Sequence, residues 1–300
     1  MFRRFLCILV LVVGYSFLNT DCTANNLENK ADFVIYSFNR PLQLYALLES
    51  VDKYMTGLGE ICVIYRATQE SYALAYDEVK KDFGQVIFMQ QGDKPYEDFQ
   101  PLTLQAVFSS PHVYIIFAVD DIVVKDFIDI ASDITLLEKT QAYGFYYRLG
   151  KNLSYCYTMQ RAQAIPPLQV VADGVFAWQF CQAECDWGYP NTVDMTLYRK
   201  ADIRNFFETV PYEAPNPLEG RWSGYAYQVS NRIGLCYEQS KIINLPLNCV
   251  QNFCNNAHMG GDTQVLLNEF NEGKKIDINI LFRIPNISAH QEYVLTYLPR

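Results

Sequence analysis

From Asp32 onward the chain alternates short apolar runs with amphipathic stretches, and this alternation predicts its secondary structure. FVIYSF (33–38) is an apolar run of strand length, and Leu44, Leu47, Leu48, Val51, Tyr54 and Met55 then recur at the spacing of one helical face. ICVIY (61–65) repeats the strand signal, followed by a polar helix over 69–82 with Tyr72, Ala75, Tyr76 and Val79 on one side. VIFM (86–89) predicts a third strand, LTLQAVFSS (102–110) a short helix, and VYIIFAV (113–119) a fourth strand. Four strand-then-helix units predict an α/β fold, a doubly wound and mostly parallel sheet with helices on both faces. Ligands of such sheets bind beyond the C-terminal ends of the strands. The unusual polar groups fall there: Ser37, Asn39 and Arg40 after the first strand, Arg66 after the second, Gln90, Gln91 and Asp93 after the third, Asp120 and Asp121 after the fourth.

The second half is less regular. AYGFYYRLG (142–150) and LSYCYTM (153–159) predict two aromatic-rich strands joined at Gly150–Asn152 as a hairpin. GVFAWQF (174–180) and VDMTLYRK (193–200) follow, then a helix near Ala201–Glu208 and a Pro-rich loop over 211–222. A helix over 219–233 and one opening at Asp262, a good N-cap, complete the organised part. With no repeat and no low-complexity linker, residues 32–300 form one predicted domain, an N-terminal half over 32–125 and an irregular half over 126–300.

The first residues stand apart. Arg3 and Arg4 precede an uncharged run, Phe5–Leu18, and a polar exit segment, the pattern of an export signal ending near Ala24. The run is shorter than the roughly 20 residues of a spanning helix, although it would also serve as a short N-terminal membrane anchor. Export places the chain in a secreted, periplasmic or secretory-lumenal setting, where cysteines can pair. The spacings Cys181–Cys185 and Cys249–Cys254 are not those of a structural zinc site, which leaves buried thiols or one or two disulfides. A formal charge of −9 with no Lys/Arg cluster excludes a phosphate-tracking nucleic-acid surface.

Two adjacent carboxylates at the end of a buried strand are costly unless something neutralises them. A divalent ion held by hard oxygens does so, and its open positions take the oxygens of a diphosphate. YSFNRP after the first strand, a Tyr-Arg end to the second, and FAVDDIVV after the fourth resemble the nucleotide-sugar-binding half of glycosyltransferases of the A-type (GT-A) fold, family-2-like. The resemblance covers residues 32–125 well and the rest loosely. Here Val119-Asp120-Asp121-Ile122 stands where the family has a DxD-type motif. The resemblance implies a metal-dependent transferase, using Mn²⁺ or Mg²⁺, that moves a sugar from a nucleotide-diphosphate donor to an acceptor hydroxyl on a glycan, lipid or protein.

On that resemblance Asp120 and Asp121 bind the metal, with Asp120 also toward the donor. Ser37, Asn39, Arg40 and Arg66 lie by the nucleotide, where a planar guanidinium suits a phosphate or base oxygen. Glu219 in PNPLEGRW (215–222) is the candidate catalytic base. His290 is the candidate late metal ligand, His258 its competitor, and His112, at the wrong end of the sheet, is structural. Trp187, in DWGYPN (186–191), suits sugar stacking or core packing equally.

Two other readings compete. An exported carbohydrate-binding protein that keeps the fold without turnover answers the scarcity of donor nucleotides outside a bacterial cytoplasm. The sequons Asn152-Leu-Ser and Asn286-Ile-Ser fit instead a secretory lumen supplied with donor. A glycoside hydrolase fits export but not the residues, because it needs carboxylates roughly 5–9.5 Å apart facing one bond.

Overall fold

A computed structural model of the chain describes residues 29–250 and 258–300; the predicted leader lies outside them. The elements in order are β1 (Ala31–Phe38), α1 (Pro41–Tyr54), β2 (Leu58–Arg66), α2 (Glu70–Asp82), β3 (Ile87–Gln90), α3 (Pro95–Phe108) and β4 (Tyr114–Val119). There follow β5 (Ile122–Val124), α4 (Ile130–Thr140), β6 (Gly144–Tyr146), β7 (Gln169–Ala172), β8 (Val175–Gln179), β9 (Thr196–Arg199) and α5 (Lys200–Thr209). Then come α6 (Pro215–Ser223), β10 (Ile233–Tyr237), β11 (Ile242–Asn244) and α7 (Thr263–Asn271), followed by a short antiparallel pair, Lys274–Ile276 with Tyr297–Pro299.

Among the described residues the central sheet has nine strands in the order β7-β8-β10-β6-β9-β4-β1-β2-β3. β1 pairs in parallel with both β2 and β4, and β2 with β3. The chain therefore winds outward from β1 to β3 and returns across β1 to place β4 on its other side. That reversal opens a crevice at the C-terminal ends of β1 and β4, where Phe38–Arg40 meets Asp120–Asp121. β9 enters antiparallel to β4, so its first residues arrive at the same edge.

The two faces of β1 explain its unbroken apolar run. Phe33 and Ile35 pack with Leu44, Leu47 and Val51 of α1 and Tyr76 of α2 on one side. Val34 and Tyr36 pack with Phe99 and Val107 of α3, Phe207 of α5 and Trp222 of α6 on the other. Leu44 and Leu47 are wholly buried, and truncating either to alanine should cost about 2–5 kcal/mol. Pro41 opens α1, where its missing N–H would be unpaired in any case.

The second half departs from expectation in three places. Residues 142–159 are not a hairpin: β6 pairs with β9 and β10, while Tyr155–Cys156 pairs with Arg161–Ala162. The chain at Gly150 lies against the 239–240 backbone, with Lys151 N donating to Glu238 O (2.8 Å) and Ser240 N to Asn152 Oδ1 (3.0 Å), which draws it away from its sequence neighbour. The helix predicted over 219–233 is instead α6, opened by Pro215 at its first turn; Ala226–Val229 is a 3₁₀ turn and Ile233 begins β10. α3 begins at Pro95, seven residues before the predicted helix, and runs through Pro101.

Cys62, Cys156 and Cys236 are buried free thiols, and Cys181 and Cys185 are also unbridged. The sequon amides are turned inward: Asn152 Nδ2 donates to Asn286 O (2.8 Å) and Asn286, only 2% exposed, donates to Ser288 O (2.7 Å). Neither is presented as an open glycan acceptor. His112 is structural, its Nδ1 2.7 Å from buried Asp32 at the far end of the sheet. Trp187 is fully buried and packs edge-on against Trp178, so it has no sugar-facing surface. No helix among the described residues is long and apolar enough to cross a membrane.

Candidate active site

The crevice is a cleft of about 390 Å³ whose lining includes Ser37, Arg40, Arg66, Asp120, Asp121, Glu219 and His290, seven of the eight predicted site residues. Asn39 is not in the lining. Its left-handed backbone (φ 52°) turns the chain from β1 into α1, and its side chain exchanges hydrogen bonds with Thr68 (2.7 and 3.0 Å), pinning that turn to the end of β2. An asparagine tolerates this conformation better than a branched residue.

Asp120 is 3% exposed and bound on every side: Oδ2 accepts from Ser37 Oγ (2.8 Å) and Phe38 N (3.1 Å), and Oδ1 from Arg40 Nη1 (3.0 Å). The Ser37 hydroxyl also meets Tyr76 OH (2.6 Å), which accepts from Arg40 N (3.2 Å). Burial pushes the Asp120 carboxyl up to about 6, against the pull of Arg40 and with the help of Asp121. Asp120 and Ser37 thus hold the β1–α1 turn onto the end of β4.

Asp121 differs. Its Oδ2 accepts from the same Arg40 Nη1 (3.0 Å), but its buried Oδ1 has no partner among the described residues. The Arg40 fork is committed inward, to both aspartates and to the Asn248 carbonyl, which leaves few of its N–H groups for a nucleotide. Arg66 is the converse. It makes no ion pair among the described residues, and its guanidinium lies over Phe38 and Tyr96 (5.0 and 5.7 Å to the ring centroids) at the cleft wall.

Across the cleft, α6 carries Glu219, whose Oε1 accepts from Thr192 Oγ1 (2.6 Å) and Val193 N (2.9 Å). Burial, then the charge of Asp194, raises the Glu219 carboxyl to about 7. Asp194 is a site residue that sequence reading missed, because VDMTLYRK reads as one strand. Met195 adopts a left-handed backbone (φ 44°), so the strand starts only at Thr196 and Asp194 stays in the loop at the ligand edge. Its Oδ2 stands 3.8 Å from His290 Nε2, and burial raises its carboxyl, with Asp121 and Asp186 adding to the effect. The His290 ring lies nearly parallel to Tyr157 (17°). His258 is on the cleft wall with Nδ1 accepting from Gly260 N (2.9 Å). Arg148, 2% exposed and bound to Asp186 O and Tyr189 O, is a buried positive charge behind Asp194 and Glu219.

Among the described residues no three His, Cys, Asp and Glu side chains converge closely enough to form an all-protein metal cage. The donor set still fits a hard divalent ion of the Mg²⁺ type, which is bound through one or two carboxylates and completed by substrate phosphates. The unpartnered Asp121 Oδ1 is the oxygen that fits it best.

No protein-family model matches the chain. It is 26% identical over 194 residues, 59% of its length, to the bifunctional glycosyltransferase pgtA of Dictyostelium discoideum. The chain spans about a quarter of that curated relative's length. Among solved structures, S. aureus TarS in complex with UDP-GlcNAc aligns with TM-score 0.49 and 12% identity over 77% of this chain and 60% of that one. A UDP-glucose pyrophosphorylase complexed with UDP-glucose aligns with TM-score 0.38 and 9% identity over 81% and 97%. With its 3-2-1-4 parallel core, its carboxylate pair at the switch point and this sequence likeness, the chain resembles the glycosyltransferases of the A-type fold.

Proposed function

We propose that this chain is a metal-dependent glycosyltransferase that moves a sugar from a nucleotide-diphosphate donor to an acceptor hydroxyl. One observation carries the reading: a carboxylate pair, an uncommitted arginine and a carboxyl group raised to about 7 line a single cleft at the switch point of the sheet. Likeness to a curated glycosyltransferase supports it.

Asp121, with Asp120 beside it and His290 in the same cleft lining, would hold Mn²⁺ or Mg²⁺. When bound, such an ion neutralises the charge that develops on a departing diphosphate. Arg66, whose guanidinium lies over the Phe38 and Tyr96 rings at the cleft wall, would meet the donor's phosphates or base. Glu219 would take the acceptor's proton as the acceptor oxygen bonds to the anomeric carbon and the sugar–phosphate bond breaks. A carboxyl group titrating near 7 suits that task, being both available as a base and close to the operating pH. The Thr192 and Val193 donors fix one Glu219 oxygen and leave the other for substrate. The acceptor is a hydroxyl of a glycan, lipid or protein, met in an exported or membrane-anchored setting.

Calorimetric titration of the full chain with a panel of nucleoside diphosphates, with and without Mn²⁺, tests this. Metal-dependent binding that is lost in Asp121→Asn and weakened at least about tenfold in Arg66→Ala is expected, the latter from loss of a charge-assisted contact. Binding of free sugars with no response to any nucleotide would favour the non-catalytic carbohydrate-binding alternative.

A further inference from the structure

The carboxylate pair already has a cation. Arg40 Nη1 lies 3.0 Å from Asp120 Oδ1 and 3.0 Å from Asp121 Oδ2, between the facing edges of the two groups. Arg40 as a whole is 9% exposed, and its guanidinium donates to the Asn248 carbonyl. Asn248 is itself held by Gln43 Nε2 (3.2 Å) and Thr263 Oγ1 (3.3 Å). An arginine stays charged at all physiological pH, so this cation is permanent. With Ser37 and Phe38 on the second Asp120 oxygen, three of the four oxygens of the pair are bound by protein donors.

We propose that Arg40 is the resident counter-ion of this site and competes with a divalent ion for the aspartates. The ion alone meets one open carboxylate oxygen beside a fixed positive charge and binds weakly. A nucleoside diphosphate changes the balance, because its phosphates supply the missing oxygen ligands and the negative charge. The site therefore takes up metal together with nucleotide, not before it. This inference rests on the metal-dependent reading of the same cleft.

The test is the free Mn²⁺ signal in electron paramagnetic resonance, titrated against the full chain without substrate turnover. Wild-type protein should take up Mn²⁺ only at millimolar concentration when alone and much more tightly when UDP or GDP is added. Arg40→Gln should bind Mn²⁺ alone at least about tenfold more tightly, since it removes a like charge within a few ångströms of the ion. Arg40→Lys, which keeps the charge but loses the fork, should fall between the two. If the glutamine variant shows no melting transition, the lysine variant decides: tighter uptake than wild type supports the proposal, equal or weaker uptake overturns it. If wild type takes up Mn²⁺ with nucleotide and neither folded variant gains affinity, Arg40 is a scaffold and only this proposal falls. If no protein takes up Mn²⁺ in either condition, the metal reading falls and this one with it.

Discussion

Replacing Glu219 by glutamine separates the proton it holds from the shape it supports. Glu219 Oε1 accepts both Thr192 Oγ1 and Val193 N, and a glutamine Oε1 accepts the same two donors, so α6 stays tied to the loop before β9. What changes is charge. An unfolded glutamate titrates near about 4.3, whereas burial and the charge of Asp194 raise the folded group to about 7. Between those values the folded chain binds more protons than the unfolded one, so stability falls as pH rises through the window and the penalty is complete above it. A shift of this size converts to about 3–4 kcal/mol at 1.36 kcal/mol per unit. Glu219 is only partly buried and faces a wet cleft, and screening reduces the expected effect to about 1–2 kcal/mol. Urea unfolding should find Glu219→Gln more stable than wild type by that amount at pH 8 and by well under half of it at pH 5, the difference closing below about pH 4. In a transfer assay the wild-type rate should climb with pH through about 7, and Glu219→Gln should lose about 10²–10⁴ in kcat. Equal stability differences at both pH values would refute the held proton. An unchanged rate would remove Glu219 as the base.

The two aspartates should fail differently. Asp120→Ala strands the Arg40 guanidinium and the Ser37 and Phe38 donors and should cost about 3–5 kcal/mol in urea unfolding; Asp121→Ala should cost clearly less yet abolish nucleotide-linked Mn²⁺ uptake, and equal destabilisation by the two would contradict their assigned roles. Asp133 of α4 is wholly buried, accepts from Tyr237 OH (2.5 Å) and is pushed by burial up to about 7. The chain should therefore gain stability as pH falls from 8 toward 5, and Asp133→Asn should flatten that slope in thermal melts; an unaltered slope would show that Asp133 is not the group that titrates.

How far the sequence reveals this molecule depends on whether a signal is local. β1, β2 and β4 were legible because their central residues are buried on both faces and read as apolar runs, β3 because even a half-exposed edge strand kept the apolar run VIFM, and α1 and α2 because one helical face meets the sheet. Pro101 hid the start of α3, since proline inside a helix costs about 3 kcal/mol and is a reasonable stop signal; Phe99, Ala106 and Val107, packed under the sheet, hold the helix together across it. The aromatic segments at 142–159 resembled a hairpin because alternation specifies a strand but not its partner. The site divides the same way. Asp120 and Asp121 were visible from the motif, but their roles come from distant chain: Ser37 and Arg40 close around Asp120 only because β4 lies beside β1, and the brace behind Arg40 is Asn248, far along the chain. Asp194 reaches the cleft because β9 is inserted antiparallel, turning the start of a strand toward the edge where the other strands end. Two arginines that looked alike in sequence, one just past a strand and one at a strand's end, thus stand in opposite settings: sheet order buries Arg40 against acids, while Arg66 lies over Phe38 and Tyr96 at the cleft wall with no ion pair among the described residues.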